Sequence, residues 1–85
     1  MSSYKPIACG LHDQYQLAVL KKRSLVLEWE DEYGGKLSAV VLPRDVFTRD
    51  KAEYLRAIWG HEKEIEIRLD YIRKANWAHD GMPLV

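Results

Sequence analysis

The sequence predicts a mainly β fold: a small, bent antiparallel barrel with one N-terminal α-helix. Apolar residues recur at helical spacing only between about Leu11 and Lys21, then at every second position from Ser24 onward. Turn-forming residues punctuate the alternating stretches at short intervals, which is the pattern of a meander of paired strands.

The chain opens extended from Tyr4 to Ile7, because Pro6 disfavours helix for Lys5. Leu11, Tyr15, Ala18 and Val19 then share one helical face, with Asp13 placed in the first turn and Lys21, Lys22 and Arg23 closing the last, signs that suit the helix dipole. Leu25, Leu27 and Trp29 alternate with Val26, Glu28 and Glu30 as the first strand. Tyr33, Gly34 and Gly35 form a turn, and Lys36 to Leu42 reads as the antiparallel return strand, with Pro43 ending regular pairing. A polar segment, Arg44 to Lys51, leads to a third strand from about Ala52 to Trp59. Gly60 and His61 turn it into a fourth, Glu62 to Leu69, with Ile65, Ile67 and Leu69 inward and Glu64, Glu66 and Arg68 outward. Asp70 to Trp77 gives a bend and a short fifth strand, with Ile72 as a plug.

Left flat, such a sheet would expose a hydrophobic face and two long edges, so it is expected to curl. The helix would cover an open end or flank, and Trp29, Trp59 and Trp77 would divide between core and rim. By element order this is an Sm-like or OB-like architecture.

At 85 residues the chain has room for one domain, 1–85, with an ordered core over about 4–77 and a patternless tail, 78–85, expected to be loose. The single Cys9 excludes an internal disulfide framework. No apolar run approaches the roughly 18 residues of a membrane span or follows a basic start as in a secretory signal. These features predict a cytoplasmic protein with no membrane partner. Thirteen basic residues balance thirteen acidic ones, so there is no surplus of Lys and Arg to drive nonspecific phosphate binding. A monomer without direct nucleic-acid binding is the expectation.

Little in the sequence supports catalysis. Cys9 and His12 stand at a zinc-ligand spacing, but a structural zinc needs four ligands and no second close pair exists. The simpler reading packs Cys9 as a small buried hydrophobe and leaves His12 exposed in the first helical turn. Neither an oriented base nor an oxyanion site accompanies them. Glu28, Glu30, Glu64 and Glu66 fall on outward strand faces, where solvation and edge protection are the default roles. Tyr33-Gly34-Gly35-Lys36 lacks P-loop spacing. Neither enzymatic activity nor a cofactor is expected. Arg56 near Trp59, with Arg73 and Lys74 near Trp77, is a thin version of the basic-aromatic surface that binds single-stranded RNA, and an Sm-like RNA-binding module is the alternative to a protein-binding one.

The string Tyr4-Lys5-Pro6-Ile7-Ala8-Cys9, continuing through His12-Asp13 to Leu17-Ala18, resembles the Y-x-P-I-x-C-x-x-(H/Y)-D-x-x-x-L-A opening of the Rho-binding antiterminator (Rof) family. Glu53-Tyr54-Leu55, followed by Ile67-Arg68-Leu69-Asp70 and Ile72, resembles that family's second signature, and Leu25 to Glu28 matches its L-x-L-E strand. The resemblance implies a bacterial protein that binds the N-terminal, primary RNA-binding region of transcription termination factor Rho and reduces termination. It implies contact residues His12, Asp13, the position of Gln16, and Arg49 or Lys51. Gln16 stands where the family carries an acid, and Gly10 and Leu11 stand where some members are acidic, so negative charge is removed from this face. Glu28 and Glu30 are candidates to compensate. Arg68 and Asp70 are expected to form a local ion pair or turn hydrogen bond, and Pro6 and Ile7 to lock the N-terminal arm against the barrel.

Overall fold

In the computed structural model, which describes residues 5–7, 9–60 and 62–84, the helical spacing becomes α1, Cys9–Lys21, with Tyr15 and Ala18 buried and Leu11 and Val19 packed beside them. The helix starts two residues before Leu11, so Asp13 lies in the second turn, not the first. It ends in a left-handed Lys22, φ 54°, whose N–H donates to Val19 while Arg23 N–H reaches Ala18. This pair of bonds satisfies carbonyls the helix leaves open.

The period-two stretches become β1 (Leu25–Glu30), β2 (Lys36–Arg49), β3 (Ala52–Trp59), β4 (Lys63–Arg68) and, after a 3-10 turn over Leu69–Tyr71, β5 (Ile72–Trp77). They pair antiparallel in the order β4-β3-β2-β1-β5. The inward faces supply Leu25, Leu27, Trp29, Leu55, Ala57, Ile67 and Leu69, and α1 closes over them with Tyr15 and Ala18. Ile65 and Ile72, expected in this set, are partly buried at its margin.

Pro43 does not end the second strand. β2 runs on to Arg49, and the segment expected as a polar connection is its second half, paired with β3 from Val41↔Trp59 to Arg49↔Ala52. The β1 pairing reaches β2 only as far as Val41, so Pro43 lies where the β1 side of the strand is free and its missing N–H interrupts no ladder. A register shift between Pro43 and Asp45 places the extra residue, Arg44, in a bulge that bends the strand. One half of β2 thus serves β1 and the other serves β3, and the sheet curves around the core. It bends without closing: β4 and β5 are its two edges.

The tail is not loose. Leu84 is 6% exposed and belongs to the core, its N–H donates to Ala75, and Trp77 N–H donates to Met82. Asn76 bridges to Pro83, so the tail lies along the outer edge of β5. An eight-residue stretch with one well-placed leucine carries no periodicity, which is why the pattern was invisible. Tyr4, His61 and Val85, which figured in the expected arm, turn and tail, lie outside the described residues, as does Ala8. Ile7 packs against the core and Lys5 N–H donates to Asp70, fixing the arm.

Candidate functional site

Helix geometry decides which side chains of α1 can meet a partner. Residues 9, 13, 16 and 20 follow the i, i+4, i+7, i+11 spacing of one stripe, and Cys9, Asp13, Gln16 and Leu20 are all exposed along it. Cys9 is therefore not the buried residue its composition suggested: the helix turns it to solvent. Leu20, 78% exposed, was missed as a candidate; its signal in the sequence is a leucine falling off the buried spacing. Asp13 makes no hydrogen bond or ion pair among the described residues, so its carboxylate is available.

His12 sits at the border of this stripe and is not free in solvent. Its imidazole Nε2 contacts the Glu53 carboxylate of β3, tying the helix to the sheet. The bond joins the two separated strings of the sequence, His12-Asp13 and Glu53-Tyr54-Leu55, at one place. Lys51 lies two residues before Glu53, exposed in the Asp50–Lys51 turn. His12, Asp13, Gln16 and Lys51 therefore belong to one end of the molecule.

Arg49 does not join them. Strand alternation puts it on the sheet face opposite the helix, where Nη1 and Nη2 donate to the two oxygens of Glu66 at 2.9 and 3.1 Å. Arg56 Nη2 donates to the same carboxylate at 3.1 Å. Arg49, then Arg56, hold the Glu66 carboxyl below the usual carboxylate range by these hydrogen bonds, and Glu66 in turn raises Arg49. Phe47 and Tyr54 stack at 5.5 Å beneath, with the Arg49 and Arg56 guanidinia 5.0 and 4.7 Å from the Phe47 centroid. The basic-aromatic pairing of Arg56 is thus with Phe47 and not Trp59, whose ring carries Lys63 at 5.3 Å. Arg56 Nε is buried without a hydrogen bond; Glu64 Oε1 is 3.5 Å away in poor alignment.

Glu28 and Glu30 occupy the outward face of β1, away from the helix stripe. Lys74 and Arg73 of β5 lie 3.9 and 3.6 Å from them, so this is a locally neutralised surface. Such exposed pairs contribute little to stability, but they remove the bare negative field a compensating patch would need. Arg68 and Asp70 form the expected local pair: Nε and Nη2 donate to the two carboxylate oxygens at 3.0 and 2.7 Å, and the side chains are 14% and 7% exposed. The pair, with Arg73 donating to the Asp70 carbonyl, shapes the 3-10 turn.

No family model, curated protein or solved structure matches this chain.

Proposed function

We propose that this chain is a bacterial cytoplasmic protein ligand of transcription termination factor Rho that occupies its N-terminal, primary RNA-binding region and reduces Rho-dependent termination. The observation that carries the reading is the meeting of the two Rof-like strings through His12 and Glu53, beside an outward stripe on which Asp13 has no ion pair among the described residues. A site that holds phosphates must be basic, and a small protein presenting a carboxylate from a rigid helix competes for it by charge complementarity. Such an inhibitor acts as a monomer and needs neither catalysis nor a cofactor. Leu20 supplies an apolar contact at the end of the same stripe.

The experiment is a pull-down with purified Rho, with and without excess pyrimidine-rich RNA, using the parent chain and Asp13→Lys. Retention that RNA competes away supports the reading. Asp13→Lys should weaken it by about 2 kcal/mol, some thirtyfold, through loss of attraction and added repulsion. The variant should stay folded, because an exposed second-turn carboxylate contributes at most about 1 kcal/mol through the helix dipole. Gln16→Glu should move the other way, chiefly at low salt. Undiminished binding by folded Asp13→Lys removes the helix from the interface.

The stacked Phe47 and Tyr54 under two arginines favour a second reading, an Sm-like module for single-stranded RNA. Glu66 already engages both guanidinia, which leaves less positive charge for phosphates. Salt-sensitive retention of single-stranded RNA by the pure protein would favour it over Rho binding.

A further inference from the structure

Because the sheet bends without closing, its open side leaves a cleft of about 600 Å³ between the end of β1 with its hairpin loop, β4 and the 3-10 turn. Trp29, 6% exposed, lies at its base, and Tyr33, Tyr54 and Tyr71 stand around it. The end of β1 and its loop contribute Glu30, Asp31 and Glu32 in succession, and Glu66 of β4 lines the same cleft.

The charge of the cleft is unbalanced on the loop side. The one cation among the described residues that line it, Arg68, is held by Asp70 and lies 4.5 Å from the Tyr71 centroid. Glu66 is engaged by Arg49 and Arg56, and Glu30 has Arg73 at 3.6 Å. Asp31 uses Oδ1 to accept from the N–H groups of Tyr33 and Gly35. A Cβ at Gly35 would stand 2.7 Å from Asp31 Oδ2, so a larger residue there would push this carboxylate aside. Glu32 makes no hydrogen bond or ion pair among the described residues, and Tyr33 is 89% exposed.

Aromatic surfaces beside excess carboxylate recognise a flat cation, and a guanidinium satisfies both at once by stacking and by forked hydrogen bonds. The same carboxylates repel phosphate. The wall on the β4 side is an edge strand of the sheet, with no further strand paired to it among the described residues, against which an extended chain can run. We propose that the cleft binds the arginine side chain of an extended, basic protein segment. The site is separate from the α1 stripe and stands whether or not Rho is the partner of that stripe.

The test is a nuclear magnetic resonance titration of the full chain with blocked Gly-Arg-Gly peptide, against the same peptide carrying citrulline or lysine. Arginine peptide should shift the Trp29 indole N–H and the backbone amides of Asp31, Glu32, Tyr33 and Ile67. Citrulline, the neutral isostere, should bind roughly tenfold more weakly, and lysine should fall between them. Glu32→Gln should weaken the arginine peptide severalfold, and Tyr33→Ala likewise. Both positions are exposed, and an unchanged amide spectrum away from the loop verifies the fold. Equal binding of citrulline or lysine peptide, shifts that cluster elsewhere, or full affinity in Glu32→Gln overturns the proposal.

Discussion

At Glu66 a single carboxylate accepts three N–H groups from arginines on two neighbouring strands. Its folded-state pKa is lowered from 4.5, so the unfolded chain binds the proton more tightly than the native one. The resulting stability is fully present above that unfolded value and is lost as pH falls through the lower folded value. In urea titrations near neutral pH, Glu66→Gln should therefore unfold at a lower midpoint than the parent, and acidification to about pH 3 should narrow the gap. A gap independent of pH would show that the variant acts by packing and not through this charge. Alternation along the sequence predicts the outward direction of Glu66 but not its partners, because the polar segment holding Arg49 carries the signature of a connection, whereas it pairs as a strand. The Arg68–Asp70 pair was legible since its members are two residues apart and need only local geometry.

The elements make their turns with residues that resist them. Lys22 at the end of α1 and both central residues of the β2–β3 hairpin, Asp50 and Lys51, take positive φ of 54°, 51° and 64°. A two-residue hairpin favours two left-handed residues because that twist matches the flanking strands, and glycine adopts it with least strain. Lys22→Gly and Lys51→Gly should each raise stability by about 0.5–1 kcal/mol, the left-handed penalty of a side chain less the extra freedom glycine gives the unfolded state. Chemical denaturation with an unchanged slope is the measurement, and a loss of stability would mean that the lysine side chains hold contacts of their own. Lys51→Gly also removes a candidate partner charge, so the proposed binding to Rho should weaken while stability rises. Such turns were hard to place from sequence because neither carries the Asn-Gly or Asp-Gly signal.

Across the whole molecule, a sheet that stays open must protect two edges. The edge of β5 is covered by the tail, with Leu84 inserted into the core. Deleting residues 82–85 removes that leucine and uncovers the strand. The expected cost is about 2–3 kcal/mol by thermal or urea unfolding, with concentration-dependent self-association as the bare edge pairs with another copy. A truncated chain that keeps full stability would show that Leu84 is dispensable to the core. The bulge at Arg44 acts at the same scale: it lets a strand of 14 residues serve two neighbours at different angles.

By itself the sequence determined the mainly β class, the single helix, the inward faces of β1 and β4 and the glycine turn after β1, because each rests on periodicity or backbone preference within a few residues. It also placed His12, Asp13 and Gln16 on one helix. Only the tertiary structure decided that Pro43 lies inside a strand, that the tail is part of the core, and that Arg49 faces away from the helix. Those outcomes depend on where a neighbouring strand ends and which distant side chains meet. The same holds for the acidic cleft: its loop residues are adjacent in sequence, but the aromatic and strand walls reach them only through the bend of the sheet.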